Sequence, residues 1–213
     1  MSPIEQGTIG NQPLAREFFL RDPVTCAREL IGAEFHWDGC SGVVVETEAY
    51  SEIDDEACHT FFRPGARQFV ERHEAGAAYV YFNYGMYWLT NVLTKDARTG
   101  ERGFVLLRAL QPLSGLDQMR HRRGRERDRD LCSGPGKLSM ALGITGEHHG
   151  WDLAADAGSR GQALRGFAAA AVNAKEALLG VVADVRIGIS RAQDLPWRFL
   201  AAGSPWVSKP PGQ

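Results

Sequence analysis

The sequence predicts a single α+β domain in which helices surround a mostly antiparallel sheet. Three observations predict this class. A length of 213 residues suits one well-buried core. Runs of β-branched and aromatic residues alternate with shorter stretches of helical spacing. The chain also has no internal repeat and no stretch that resembles an interdomain linker.

The first fifty residues predict a tail, a short helix and two strands. We expect a flexible tail over residues 1–12. Asp22-Pro23 places a proline where helices often begin, which predicts a helix over 24–30. Residues 34–50 are typical of two strands joined by a turn at Asp38-Gly39.

An irregular segment and a hairpin are expected next. Residues 51–76 are polar, and Pro64-Gly65 predicts a turn within them. Two aromatic-rich runs, 78–82 and 86–93, flank Asn83-Tyr84-Gly85. Asn and Gly tolerate the positive φ of a tight turn, so these runs predict a β-hairpin.

The middle of the chain predicts one strand and two helices. The apolar run 104–110 is typical of a strand, which we expect to end at Pro112. Residues 113–122 have helical spacing. A turn over 131–137 then precedes a helix that continues to Gly143.

The last part contains an alanine-rich span, 163–177, and two predicted strands near 181–189 and 198–200. We expect one domain over residues 13–208 and a C-terminal tail over 209–213.

The composition predicts a globular protein of the cytoplasm. Hydrophobic residues make up 44% and charged residues 23% of the chain. No apolar run approaches the roughly 20 residues that span a bilayer, and the N-terminus lacks a secretion signal. The four cysteines form no C-x-x-C pair, which argues against a zinc site or a disulfide framework, so reduced thiols are expected.

The net charge of −2 gives no general indication of nucleic-acid binding. The local charge differs, because six arginines are concentrated in residues 120–129 among Glu126, Asp128 and Asp130. A mixed run of this kind is usually a solvated loop, and direct contact with phosphates is the alternative.

The segment 43–50 is the most informative for function. A β-branched run acquires Glu46, Glu48 and Tyr50, which alternation places on one face of a strand, with Val45 and Thr47 on the other. A carboxylate beside an aromatic ring suits a pocket that stacks a planar ring and activates water. An edge strand with a solvated acidic face is the alternative.

Other aromatic and polar residues extend this pattern. Tyr84, at the hairpin tip, could enter a duplex in place of a displaced base, or could fold back onto the sheet. Tyr81 could form a second wall opposite Tyr50. Asn91 could read a base edge, or could be an ordinary core or turn-facing residue. Arg108 interrupts an apolar strand and requires an acidic partner, for which Glu46 or Glu48 is the candidate.

These residues belong to a series of short motifs that resembles the alkyladenine (3-methyladenine) DNA glycosylase family. In chain order the motifs are ETEAY at 46–50, ACH at 57–59, YVYFNYGMY at 79–87, NV at 91–92, VLLRALQP at 105–112, LCSGPGKL at 131–138, RIG at 186–188 and GSPWVS at 203–208. The resemblance implies a single compact glycosylase domain with a curved sheet and a protruding β-hairpin. It also implies removal of damaged purines, alkylated or deaminated, from duplex DNA by hydrolysis of the N-glycosidic bond.

The resemblance also implies roles in catalysis. Glu48 resembles the general base that activates water for attack at C1′ of the sugar. Arg108 and the main-chain carbonyl of Ile187 resemble partners that hold this water. Chemically, a carboxylate near C1′ can both stabilise the positive charge that develops on the sugar and deprotonate water.

In the same way, the resemblance assigns the binding residues. Tyr50, His59 and Tyr81 resemble the walls that stack on the flipped base, and Asn91 the residue that discriminates against the exocyclic amine of guanine. Tyr84 resembles the wedge that fills the gap in the duplex. DNA-backbone contacts are expected at Gly136, Lys137 and Arg67. Segment 67–72 departs from the family pattern, because Arg67-Gln68 and Glu71-Arg72 replace an Arg-Asn and a Met-Phe pair.

No cofactor and no metal is expected, because the chemistry needs none and Glu46, Glu48 and His59 lack helical ligand spacing. No lysine lies in the pocket motifs, which predicts a monofunctional enzyme without lyase activity. We expect a monomer that binds duplex DNA containing a damaged purine, in a bacterial-type cytoplasm and without membrane contact. The alternatives are a catalytically inactive nucleic-acid-binding relative and a hydrolase of free nucleosides.

Overall fold

The structure, a computed structural model, describes residues 12–154, 165–169 and 180–212. Apart from residue 12, the predicted N-terminal tail lies outside these ranges, as does most of the alanine-rich span 163–177. Within the described ranges, no helix is long and apolar enough to cross a membrane.

An eight-stranded sheet forms the body of the molecule, in the order β3-β4-β5-β2-β1-β6, with β8 paired to β2 and β7 paired to β8. Every pairing is antiparallel. The fold is therefore α+β, with a curled antiparallel sheet, as the sequence predicts. The strands are β1 (Glu34–Trp37), β2 (Cys40–Ser51), β3 (Ala78–Asn83), β4 (Tyr87–Lys95), β5 (Arg102–Ser114), β6 (Gly166–Ala168), β7 (Val181–Asp184) and β8 (Arg198–Ala201).

Strand β2 lies in the interior of the sheet and changes partner along its length. Val43 pairs with β1, whereas Glu46 to Glu48 pair with β8, and β5 covers the opposite side of β2 throughout. Register shifts occur on both sides of Glu46. Such bulges bend a strand and increase its twist. The strict alternation predicted for 43–50 is therefore interrupted at Glu46, and the alternative of a solvated edge strand is wrong.

Helices pack against the sheet and against one another. They are α1 (Pro23–Glu29), α2 (His59–Phe62), α3 (Pro64–Arg72), α4 (Leu116–Arg123) and α5 (Pro135–Leu142). Asp22 caps α1 by accepting a hydrogen bond from the Thr25 amide at 2.8 Å, and Pro23 occupies the first helical position, as predicted. Helix α5 ends at Gly143, which adopts φ +75°.

The segment expected to be irregular contains two helices. Pro64 begins α3 rather than forming a turn, because proline is favoured at the first position of a helix. Ala66, Phe69 and Val70 then recur at helical spacing and are buried on one face. The expectation of irregular structure over 51–76 was wrong for residues 59–72.

Three predicted boundaries were also wrong. Strand β5 continues through Pro112 to Ser114, because its pairing with β4 extends only from Arg102 to Leu106 and Pro112 lies beyond it. Helix α4 accordingly begins later than residue 113, after Gly115 at φ +71°. Strand β7 ends at Asp184, well short of residue 189.

The arginine-rich run is not a loop over its whole length. Its first part forms the last turn of α4, where the negative end of the helix dipole favours cations. Arg120 forms ion pairs with Asp117 at 2.6 Å and with Asp128 at 2.8 Å. Neighbouring carboxylates therefore neutralise the charge of Arg120, which weakens the alternative interpretation that this run contacts phosphates.

The predicted C-terminal tail is bonded to the sheet along part of its length. The Lys209 carbonyl accepts a hydrogen bond from Arg198, and the Gly212 amide donates to Asp184 at 2.9 Å.

Candidate active site

Glu48, in β2, is fully buried, accepts two hydrogen bonds and forms an ion pair. The Tyr50 hydroxyl donates to Oε2 at 2.8 Å, and the Ile187 amide donates to Oε1 at 2.7 Å. The Nη1 atom of Arg108 lies 3.1 Å from Oε2. A carboxylate has about four lone-pair positions, so these three contacts leave one position on Oε1, beside Ile187.

Arg108, in β5, is buried between the two glutamates of β2. Besides Glu48, its Nε donates to Oε1 of Glu46 at 2.9 Å. Glu46 also accepts from Nε of Arg198 and from the Ser208 hydroxyl, each at 2.8 Å. Burial alone would raise the pKa of Glu46, but Arg108, the Ser208 amide and Arg198 together hold it below its ordinary value. Glu46 is therefore an ionised anchor for Arg108.

A cavity of about 680 Å³ lies next to this group, although the fully buried Glu48 is not itself among the residues that line it. All three residues that contact Glu48 line this cavity, as do the other two predicted walls, His59 and Tyr81. The ring centroids of His59 and Tyr81 are 4.4 Å apart. Burial raises the pKa of the Tyr50 and Tyr81 hydroxyls, so both are neutral phenols.

His59 is a neutral imidazole at physiological pH. Burial, with a smaller effect of the Arg63 charge, lowers its pKa from 6.5 to about 4. Its Nδ1 lies 3.0 Å from the Tyr79 hydroxyl. A group with this pKa is a poor general acid near pH 7.

Asn91 lies in β4 at the wall of the cavity and is 3% exposed. Its Nδ2 donates to the backbone carbonyl of Tyr79 at 3.0 Å, which fixes the orientation of the amide. It thus combines burial, expected of a core residue, with a place beside the space that a base would occupy.

Tyr84 is the tip of the β3–β4 hairpin and is 80% exposed. It adopts φ +51° and is followed by Gly85 at φ +66°, the left-handed pair that closes the turn. The alternative, that Tyr84 folds back onto the sheet, is wrong. Tyr84 also lines the mouth of the cavity, so the wedge candidate stands beside the pocket.

None of the three residues expected at the DNA backbone lines the cavity itself. Lys137 is exposed in the first turn of α5, next to Pro135, which lines the cavity. At Gly136, a Cβ atom would lie 2.8 Å from Tyr87, so the helix approaches the hairpin at this point. Arg67 is exposed, but its Nη1 donates to the Thr60 carbonyl at 2.8 Å and stabilises α2.

The pairing of Asp55 with Arg186 was not foreseen from the sequence. Both side chains are fully buried, and their closest atoms are 2.6 Å apart. The Arg186 guanidinium also lies 4.7 Å from the Tyr50 ring centroid. Asp55 precedes His59 and Arg186 precedes Ile187, so this pair joins the two loops that meet at Glu48. Arg186 stood in a matched motif, but nothing in the sequence indicated its partner.

Further lining residues were also missed, namely Glu56, Phe62, Arg63 and Arg191. Arg191 and Glu56 form a half-exposed ion pair at 3.7 Å across the mouth. In the described parts of the chain, no group of three His, Cys, Asp or Glu side chains is arranged to hold a metal ion.

Sequence comparisons identify the family of the chain. The sequence profile of the methylpurine-DNA glycosylase family matches residues 17–205. The chain belongs to this family. Related proteins carry the name "Putative 3-methyladenine DNA glycosylase". One from Rhodopseudomonas palustris strain BisB18 is 46% identical over 92% of this chain and 91% of its own length. Another, from Nitrosospira multiformis, is 42% identical over 90% and 92%.

Membership in the methylpurine-DNA glycosylase family identifies the class of activity. The chain is a DNA glycosylase for alkylated purines and belongs to the enzymes of DNA repair.

Proposed function

We propose that this protein flips a damaged purine out of duplex DNA and hydrolyses its N-glycosidic bond with a water molecule activated by Glu48, leaving an abasic site. One observation carries the proposal. Glu48 is held by two hydrogen bonds and an ion pair behind a cavity walled by aromatic rings, with one acceptor position left on Oε1. The backbone at Ile187 lies beside that position and the Arg108 guanidinium contacts the other oxygen, Oε2, and in this proposal both help to hold the water.

The purine binds among Tyr50, His59 and Tyr81, whose rings supply stacking surfaces. The fixed amide of Asn91 lies at the same wall, where it discriminates against the exocyclic amine of guanine. The side chain of Tyr84 fills the space that the flipped nucleotide leaves in the duplex. Lys137 with Gly136 at the start of α5, and Arg67 beside α2, contact the DNA backbone.

The proposed substrates are alkylated purines and deaminated purines such as hypoxanthine. The alkylated purines include 3-methyladenine, which appears in the names of the relatives. No lysine is among the described residues that line the cavity. The enzyme therefore forms no Schiff base and cuts no strand, and borohydride traps no covalent adduct. We expect it to act as a monomer, because one cavity and one wedge serve one lesion.

The test uses end-labelled duplexes that carry hypoxanthine, ethenoadenine or 7-methylguanine, incubated with the wild type and with Glu48→Gln. Hot alkali then cleaves the abasic sites. The proposal expects lesion-dependent cleavage by the wild type and a rate about 10²–10⁴-fold lower for the variant, the usual contribution of a positioned base. Equal cleavage by both proteins would remove Glu48 from its role.

Two other outcomes distinguish the alternatives. Lesion binding without any cleavage would make the protein a nucleic-acid-binding relative. Hydrolysis of free nucleosides at the rate seen on duplexes would make it a nucleoside hydrolase, for which the exposed Tyr84 has no use.

A further inference from the structure

Arg63 occupies a special place at the cavity. It joins α2 to α3, with extended backbone at φ −110° and ψ 112°. Its guanidinium carbon lies 5.5 Å from the Tyr81 ring centroid and 5.7 Å from that of Phe62. The residue is exposed and lines the cavity on the side of the aromatic walls. A cation is thus held against the surface on which a purine would stack.

The charges of the cavity are otherwise compensated. Arg108 is neutralised by Glu46 and Glu48, and Arg191 is paired with Glu56. Within residues 12–154, 165–169 and 180–212, no carboxylate lies within 4.0 Å of the Arg63 guanidinium. Arg63 is therefore the lining cation whose charge is left to act on a bound base.

Damaged purines differ in charge, and an uncompensated cation distinguishes them. A base alkylated at N7 or N3 of the purine is cationic in the nucleotide, whereas hypoxanthine and ethenoadenine are neutral. Like charges repel and opposite charges attract more strongly inside a cavity than in water. We propose that Arg63 determines specificity by favouring neutral damaged purines over cationic alkylated ones. This inference rests on the proposed function.

The bond changes explain the direction of the effect. The C1′–N9 bond breaks with its electron pair remaining on the purine, the water oxygen bonds to C1′, and Glu48 takes the proton released by the water. A neutral purine leaves as an anion, which a guanidinium stabilises until solvent supplies a proton. A cationic purine leaves as a neutral molecule and gains nothing from Arg63, which also repels it on binding.

The experiment compares single-turnover excision of hypoxanthine and of 7-methylguanine by the wild type, Arg63→Gln and Arg63→Lys. We expect Arg63→Gln to lower the ratio of the hypoxanthine rate to the 7-methylguanine rate about tenfold. Arg63→Lys keeps the charge and should largely keep the ratio. Arg72→Gln removes an exposed arginine from the far end of α3, the helix that follows Arg63, outside the cavity lining, and should change neither rate.

Each other outcome overturns the inference in a recognisable way. An equal loss on both lesions, with a shallower dependence of binding on salt, would make Arg63 a phosphate contact. An unchanged ratio in Arg63→Gln would remove Arg63 from lesion choice while leaving the proposed function intact. A wild type that excises 7-methylguanine but no neutral lesion would contradict the inference alone. A wild type that excises neither would overturn the proposed function as well.

Discussion

The floor and the rim of the cavity are built on opposite principles. The floor is the buried ionic network of Glu46, Glu48, Arg108 and Arg198, which reaches the cavity through Arg108; all four are at most 6% exposed and are connected by ion pairs between neighbouring strands. The rim carries exposed aromatic and cationic side chains at the hairpin tip and around α2, namely Phe61, Phe62, Arg63 and Tyr84. The buried ionic floor fixes the position of Glu48, the proposed proton acceptor, whereas the exposed rim is free to contact DNA as the proposal requires.

The surroundings of a buried carboxylate, and not its charge alone, distinguish a structural glutamate from a candidate catalytic one. Glu46 and Glu48 lie two residues apart on β2, and both are fully buried. Glu46 is surrounded by two arginines and by Ser208, all of which belong to the protein's own network. The residues that contact Glu48, by contrast, all line the cavity, which is why Glu48 rather than Glu46 is the proposed base.

The largest effect expected from this comparison is a separation between the two glutamates. Glu46→Gln removes the carboxylate that Arg108 and Arg198 share and leaves them only Glu48 and Asp184 as partners, which should lower the free energy of unfolding by about 3 kcal/mol. Glu48→Gln leaves Arg108 paired with Glu46, so it should lose much less stability while losing excision. Urea unfolding of both variants measures the first effect. Equal losses of stability would break the distinction between anchor and base.

A rim substitution should show the reverse behaviour. Tyr84→Ala removes a ring that contacts solvent, so the free energy of unfolding should stay within about 0.5 kcal/mol of the wild type. Excision from duplex DNA should nevertheless fall about tenfold to a hundredfold, because the stacking that replaces the flipped base is lost. Single-turnover rates on a duplex measure this loss.

Tyr84→Phe is the matched control, since it keeps the ring and should keep most of the rate. If Tyr84→Ala leaves the duplex rate unchanged, the exposed tip has no role in base flipping.

Acid should lower the folding stability of the protein through His59, which lines the cavity. The pKa of His59 in the folded protein, about 4, lies below its ordinary 6.5. The unfolded chain therefore binds the proton first as the pH falls, and folding stability is complete above pH 6.5 and declines towards pH 4. Between pH 7 and pH 5 this single group should remove about 2 kcal/mol.

His59→Phe cannot titrate, so its unfolding free energy should depend less on pH across this interval. Urea unfolding at pH 7 and pH 5 for both proteins checks the prediction. The lowered pKa of Glu46 acts in the same direction, but its effect lies below pH 4.5, outside the interval. An equal pH dependence in both proteins would show that His59 is not the group responsible.

Local patterns predicted those parts of the fold and site that depend on near neighbours. Asn83-Tyr84-Gly85 predicted the hairpin, and the unusual charge in β5 predicted that Arg108 pairs with Glu46 or Glu48, where the structure has both. The turn predicted at Pro64-Gly65 was wrong, because the same two residues suit either a turn or the start of a helix. The buried face of α3, which only tertiary packing reveals, decides between them.

Contacts between distant segments could not be predicted in this way. Asp55 and Arg186 are separated by 131 positions, and each reads as an ordinary surface charge until the two loops meet beneath Tyr50. The same is true of Arg63, whose importance depends on the absence of a nearby carboxylate among the described residues, a property of the folded chain. The resemblance supplied roles for matched residues and was silent about these three.

The smallest expected effect tests how far the rim extends. Lys137 is exposed in the first turn of α5, where free amides and the helix dipole favour an anion. If it contacts a phosphate, Lys137→Ala should make the slope of log K against log salt shallower by about 0.9 and weaken binding equally on every lesion. Fluorescence anisotropy with a labelled duplex over a salt series measures the slope.

Lys95→Ala provides the comparison, because Lys95 ends β4 at the opposite extremity from the hairpin tip and should leave the slope unchanged. A slope that is the same in both variants would limit the rim to the hairpin and α2. A slope that changes only with Lys137 would extend the DNA-facing surface across α5. The cavity would then lie between two backbone-binding elements, with the ionic floor beneath the flipped nucleotide.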